Sequence, residues 1–292
     1  MSLLTNPLLK KSDWMHTGDI RPYVFIRPEN KIESPGTRHK LDWFPFEPVY
    51  KNAMSLDSLP FAEAIYQIEW KSFGKQDLAI PRWVFYDCAA MPGFVAGFAG
   101  RTKSLPKKVL ELLNYSEENE WCPLSLFIIT PTVHKGEWVA FDLCSVNSIL
   151  PKEEQYYGLG FLSKAFGLWY ANVNQCSGMT QWGSASLKLH SNYGHLEMIG
   201  TYAPLHTHAT TMTYRCQVNT DCWEKFFTKG PDLAFLENFG PTELMIDPNS
   251  VDSMKDLQIK LQNQEGPFYL SASEIAKKGL KDPLTVYKQK QG

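Results

Sequence analysis

The sequence predicts an α/β (α+β) fold, a mixed central sheet flanked by helices, with an N-terminal arm and a C-terminal helical extension. Three observations predict it. Strand-like and helix-like apolar segments alternate along the chain. The composition, 43% hydrophobic and 21% charged over 292 residues, is that of an ordinary globular protein with room for one large domain. A strand-like run at 138–146 is followed by a glycine turn at 155–160, which opens a helical run at 161–172.

Taken in order, residues 1–40 read as an irregular arm with scattered Pro and charge. Residues 41–50 (LDWFPFEPVY) are aromatic and broken by two prolines, at best an edge strand. Residues 58–74 read as a helix, with Pro60 in its first turn, Ala62, Ile65, Ile68 and Trp70 as apolar stripe and Gly74 as stop. Residues 82–99 read as two strands around a turn at Met91-Pro92-Gly93. A short amphipathic helix follows at 106–115, then strands at 124–130 and 138–146 joined around Lys135-Gly136. A helical stretch at 184–193, stopped by Gly194, precedes strands at 196–202 and 210–218. Beyond Asn219, prolines and glycines punctuate short helices, one with the capping box Ser271-Ala-Ser-Glu274 and a stop at Gly279. The expected domains are the arm 1–40, a core 41–219 and an extension 220–292 packed on it.

Composition limits the function classes. The net charge is −2 and the pI about 6.4, so no basic excess calls for nucleic acid. Six cysteines, at 88, 122, 144, 176, 216 and 222, form no CxxC pair, and several sit in apolar runs. That pattern fits a reducing, cytoplasmic compartment, without a disulfide framework or a cysteine metal site. No run of signal-peptide or membrane-spanning length is present. Aromatics make up 13% of the chain. Trp169, Tyr170, Trp182, Tyr202 and Tyr214 would line an apolar pocket or, more economically, fill the core.

The glycine turn, Gln155-Tyr156-Tyr157-Gly158-Leu159-Gly160, carries the most chemistry. Glycine lets backbone approach a ligand without a Cβ in the way. The first N–H groups of a helix have no intrahelical acceptors, and the helix dipole favours negative charge there. A strand, a glycine turn and a helix therefore form an anion cradle.

Gln155-x-x-Gly158-x-Gly160 resembles the R/Q-x-x-G-x-G/A signature of the GNAT acyltransferases. Ile149-Leu150-Pro151 resembles the apolar end of the strand that precedes that signature. The run Ser184-Ala-Ser-Leu-Lys-Leu-His190-Ser-Asn-Tyr193-Gly194-His195 resembles the family's later helix. The resemblance spans roughly residues 40–218. It implies transfer of an acetyl or other acyl group from acyl-coenzyme A, as co-substrate, to a small-molecule or protein amine. It implies that Gln155, Tyr156, Gly158, Leu159 and Gly160 hold the pyrophosphate, and that Ile149 and Leu150 offer backbone groups to the pantetheine arm. A homodimer is open to such a protein. The chain departs from the family at His190, where Tyr is usual, and at His195, where Phe is usual. It departs also in a long connection before the signature.

Acyl transfer needs a group to take a proton from the amine and one to give a proton to the thiolate. Asp142, inside Trp-Val-Ala-Phe-Asp-Leu-Cys, would have a raised pKa in that apolar run, as suits a base, unless it faces solvent. His190 could serve as acid or base, since an imidazole side chain in general changes charge near neutral pH. Tyr193, three residues on, would share its helix face. Two other readings compete. His206-Thr-His208 could contribute imidazoles to a metal-dependent enzyme on a β-rich scaffold, although Pro204 and Leu205 point to a loop. A non-catalytic ligand-binding module would share every feature of the cradle. The acyltransferase reading itself expects no metal.

Overall fold

The computed structural model describes residues 12–32, 47–218, 238–278 and 281–290. Residues 41–46, Cys222 and Gly279, each given a role by the sequence, lie outside the described residues. The chain divides into two compact units. One comprises Met1–Lys135 and Ala140–Val173, the other Gly136–Val139 and Asn174–Gly292.

The first unit contains strands β1 (Ile20–Ile26) and β2 (Val49–Asn52), helices α1 (Leu59–Phe73) and α2 (Arg82–Ala90), and strand β3 (Phe94–Arg101). It continues through α3 (Lys107–Leu113), β4 (Trp121–Pro123), β5 (Ser125–Pro131), most of β6 (Glu137–Ser145) and α4 (Leu159–Tyr170). Its sheet order is β6-β5-β3-β1-β2, with β4 on β3. It is mixed: β1 runs parallel to β2 and antiparallel to β3. The sequence expectation of an irregular arm is therefore corrected at residues 20–26, which form a buried strand. Within it Pro22 lies opposite Phe98, with Tyr23 and Val24 fully buried beside it.

A second correction concerns residues 82–90, expected as a strand and found as α2. Trp-Val-Phe-Tyr favours strand locally, but Pro81 starts a helix well, and burial follows the helix period. Phe85 and Ala89, four apart, are buried, whereas Trp83 and Tyr86 are exposed. Propensity lost to the face that could be buried.

β3 is buried from Phe94 to Gly100, as expected of a strand covered on both faces. α1 packs on β4 and β5, α2 and α4 on β3 and β5. Gly167 permits the close approach of α4: a Cβ there would meet Phe127 Cδ1 at 2.5 Å. Tyr23, Phe61, Phe94, Phe98, Phe127 and Phe166 form the aromatic centre. The Tyr23 hydroxyl donates to the Ser125 carbonyl at 2.8 Å, which satisfies a fully buried phenol.

The second unit contains β7 (Gln175–Gln181), α5 (Ala185–Ser191), β8 (Leu196–Gly200) and β9 (Thr211–Gln217). After these come β10 (Phe239–Ile246), α6 (Val251–Gln262), β11 (Phe268–Leu270), α7 (Ala272–Lys277) and β12 (Leu284–Gln289). The order is β10-β12-β11-β8-β9-β7. The expected helical extension is thus corrected: within its described part, three strands prolong the sheet through the pairing of β11 with β8. The capping box is half formed. Ser271 Oγ accepts from Glu274 N, but the Glu274 carboxylate accepts from Thr285 N and Oγ1 rather than turning back to the cap. No helix among the described residues is long and apolar enough to cross a membrane.

Candidate functional site

The cradle region lies wholly in the first unit. After β6 the chain makes a tight turn in which Ile149 N and Leu150 N both donate to the Val146 carbonyl, at 3.0 and 2.9 Å. Both amides are thus engaged within the turn itself. The Asn147 side chain then brackets the backbone of Tyr156. Its Nδ2 donates to the Tyr156 carbonyl at 2.7 Å, and its Oδ1 accepts from Tyr156 N at 2.9 Å. Gln155 turns its amide inward and donates to the carbonyls of Asn147 and Leu150. Ser12 Oγ and Trp14 Nε1 both donate to the Tyr157 carbonyl, at 2.7 and 3.1 Å. The Trp14 ring packs edge-on to Phe98 and Tyr156.

This loop delivers Gly158 in the left-handed region, φ 76°, as the N-cap of α4. Only glycine holds that conformation without strain. As N-cap it supplies no side-chain oxygen, so the first turn of α4 has no side-chain cap. Leu159 N donates to the Tyr156 carbonyl at 3.2 Å, and the Leu159 side chain is fully buried. Among the described residues the Gly160 amide has no acceptor. A twelve-residue helix therefore presents its positive end without a side-chain oxygen to answer it.

The second locus in this unit is a pair of carboxyls. Asp142, on β6, accepts from Leu143 N at 2.7 Å through Oδ1, while its buried Oδ2 has no partner among the described residues. Glu69, on α1, accepts from Ile80 N at 2.7 Å through Oε1, and its buried Oε2 is likewise without a donor. Burial first, then the Glu69 carboxylate, pushes Asp142 up to about 8 against the pull of the Leu143 amide. Burial pushes Glu69 up to about 7, opposed by the Ile80 amide. The Cys144 thiol is raised by burial and by Asp142. Glu69 is a residue the sequence reading missed. Its signal was its place four residues after Ile65, on the apolar stripe of α1.

The remaining candidates lie in the second unit. His190 ends α5 nearly buried, its ring 5.1 Å from that of Tyr214. Tyr193 is not on that helix, which ends at Ser191. It stands in the turn beyond, where its N–H donates to the His190 carbonyl at 3.3 Å, and it too is buried. His206 and His208 lie on a loop, and His206 Nδ1 accepts from His208 N at 2.9 Å. Among the described residues no group of three or more His, Cys, Asp or Glu side chains is placed to hold a metal ion.

No family model and no curated protein matches the chain. Several solved acetyltransferase structures are similar to it. The ribosomal-protein-S18-alanine N-acetyltransferase from Escherichia coli is 12% identical, with a TM-score of 0.37 over 54% of this chain and 88% of that one. The NatC complex bound to Gag peptide and CoA gives 9% identity and 0.38 over 57% and 96%. An acetyltransferase from Streptococcus agalactiae 2603 gives 9% and 0.34 over 54% and 91%. At these identities and TM-scores the likeness assigns neither a ligand nor an activity to this chain.

Proposed function

We propose that the chain is an acyltransferase of GNAT type that moves an acetyl or other acyl group from acyl-coenzyme A to an amine. The observation that carries this reading is the N-terminus of α4. A left-handed glycine stands where a capping side chain would be, and the loop behind it is fixed by Asn147, Ser12 and Trp14. A pyrophosphate would supply the negative charge that this helix end attracts. Gly158, Leu159 and Gly160 would hold it, with Tyr156 and Gln155 setting the loop. Ile149 and Leu150, their amides engaged in the turn, would reach a pantetheine arm only through carbonyl or side-chain groups.

Asp142 is the proposed proton acceptor. An acceptor ammonium gives it one proton. The freed lone pair attacks the thioester carbonyl carbon, and the C–S bond breaks with its electron pair on sulfur. The second proton shed by nitrogen ends on the thiolate, which leaves the amide and free coenzyme A. Most of the acceleration in such a reaction comes from holding the amine against the carbonyl, with proton transfer adding about 10²–10⁴-fold. His190, which stands where the resembled family usually has Tyr, is the proposed donor to sulfur, and Tyr193 is the alternative donor. His190→Gln and Tyr193→Phe are expected to lower turnover without weakening coenzyme A binding.

Calorimetric titration of the full chain with acetyl-coenzyme A and with free coenzyme A tests the reading. Binding of both is expected. Gly158→Trp is expected to abolish it, with Gly158→Ala as the control that adds only backbone strain of about 1 kcal/mol or slightly more. Absence of binding to the unsubstituted chain at millimolar ligand would overturn the proposal.

A further inference from the structure

In the second unit, the loop between β8 and β9 has a fixed base. Trp182 holds both of its ends: the indole Nε1 donates to the Thr201 carbonyl at 2.8 Å, and the backbone N donates to the Thr210 carbonyl at 3.1 Å. The Gln258 side chain of α6 accepts from Thr201 N at 2.7 Å. Ala203 N donates to the Ala209 carbonyl at 2.9 Å and closes the neck. Beyond the neck stands a short tip, residues 204–208, with the Leu205 side chain fully exposed.

One imidazole shapes that tip. His206 N donates back to the Ala203 carbonyl at 3.0 Å, and His206 Nδ1 accepts from His208 N at 2.9 Å. A ring nitrogen that accepts from an amide carries no hydrogen, so the neutral ring keeps its proton on Nε2. The Thr211 hydroxyl of β9 faces the same nitrogen at 3.5 Å. Its hydrogen is committed to the His208 carbonyl at 2.6 Å, and one lone pair to the Gln181 side-chain amide of β7. A hydroxyl has one donor and two acceptor sites, so what Thr211 offers Nδ1 is its second lone pair. Nδ1 thus has a donor, His208 N, and an acceptor, Thr211 Oγ1, within reach. Neutral, it can use the first alone; protonated, the second alone. The His208 ring lies 6.3 Å from that of His206, and the near charge on α6 is Lys255, 5.4 Å from the Tyr202 ring. Among the described residues no Asp, Glu, Lys or Arg forms an ion pair or hydrogen bond with His206. Nor does a third metal-ligating side chain join the two imidazoles.

We propose that His206 is a proton-operated latch on this loop. With the ring neutral, Nδ1 holds His208 N and the tip is closed. When Nδ1 takes a proton from solvent, two N–H groups would point at each other, so the bond to His208 N is lost and Nδ1–H donates to Thr211 Oγ1 instead. His208 N is then left without its acceptor, and the tip opens. The ring goes from neutral to +1, and hydrogen bonds alone change. Imidazole changes charge near neutral pH, so such a latch responds to mild acidification. The base does not follow, because the indole of Trp182 and the amide of Gln258 do not titrate. The change is confined to residues 204–208. It stands on this loop and is independent of the acyl-transfer reading.

His206→Asn and His206→Ala are the informative variants. An Asn side-chain oxygen accepts from the N–H two residues on, as His206 Nδ1 does, and it does not titrate. Ala removes the acceptor at every pH. The test is nitrogen-15 NMR of the full chain from about pH 8 to about pH 5, the range that spans imidazole titration, with EDTA present. At the alkaline end the His206 ring is expected to carry its proton on Nε2. On acidification the His208 amide signal is expected to move with the midpoint of the His206 ring, from its position in His206→Asn to its position in His206→Ala. In His206→Asn that signal is expected to stay in place, although His208 itself still titrates there. The Trp182 indole signal is expected to hold throughout, as the fixed base requires. A neutral ring protonated on Nδ1 would overturn the latch. So would a His208 amide that stays in place while the His206 ring titrates, or one that moves equally in His206→Asn.

Discussion

Glu69 and Asp142 bind their protons more tightly in the folded chain than in the unfolded one, and this has a thermodynamic consequence apart from catalysis. Their folded values, about 7 and about 8, lie above the ordinary carboxyl range. Between that range and the folded values the native state carries more protons than the unfolded state. Stability therefore falls as pH rises. The contribution is fully present below about pH 4, where both acids are protonated in either state, and is lost as pH passes through the folded values. The melting midpoint of the unsubstituted chain is expected to be lower at about pH 9 than at about pH 5. Asp142→Asn, which keeps one neutral hydrogen-bonding group in place, is expected to flatten that slope. A midpoint that rises with pH, or an equal slope in the variant, would count against the buried pair. Asp142 was legible in the sequence, because a carboxylate in Trp-Val-Ala-Phe-Asp-Leu-Cys stands out against its apolar neighbours. Glu69 was not, because Ile-Glu-Trp on an amphipathic helix reads as a stripe residue followed by a solvent-facing charge. In the fold the order is reversed: Glu69 is buried and Trp70 exposed.

At the scale of elements, the turn before α4 shows how local chemistry builds a cradle. Its glycine was legible, because a left-handed N-cap needs that residue. The brace behind it was not, since Asn147 sits nine residues from Tyr156 and Ser12 lies 145 residues from Tyr157. Asn147→Ala would remove both bonds to the Tyr156 backbone. Leaving that N–H and C=O without partners costs about 1–3 kcal/mol each if they stay buried, less if water reaches them. The expected outcome is a melting midpoint lower by a few degrees and coenzyme A binding weakened about tenfold, equivalent to about 1.4 kcal/mol. Asn147→Asp, which keeps the acceptor for Tyr156 N and loses the donor, is expected to fall between. If affinity were unchanged while stability dropped, the brace would serve folding alone. The misread helix α2 belongs to the same scale. Its aromatic run satisfies strand propensity, and only the burial of Phe85 with Ala89 decides for a helix.

At the scale of the whole molecule, the part of the chain after Asn219 was the least legible. Its capping box is a strong helix signal, while Phe268–Leu270 is too short and Leu284–Gln289 too polar to announce strands. What makes them strands is the open edge of β8, whose backbone groups β11 pairs, with Phe268 opposite Met198 and Leu270 opposite Leu196. Those residues are buried in the second unit, whereas Tyr269 and Tyr287 are paired on its more accessible face. The extension is thus part of the core of that unit. Phe268→Ala is expected to cost about 3–5 kcal/mol, the usual range for emptying a fully buried phenylalanine site. Tyr287→Ala, which opens no deep cavity, is expected to cost distinctly less. Hydrogen exchange locates the effect: in Phe268→Ala the amides of β8 and β11 should lose protection together, because each strand supplies the other's partners. If β8 kept its protection while β11 lost it, the extension would be an appendage on a unit already complete. Loss in both would show that the second unit closes its sheet only with its last three strands.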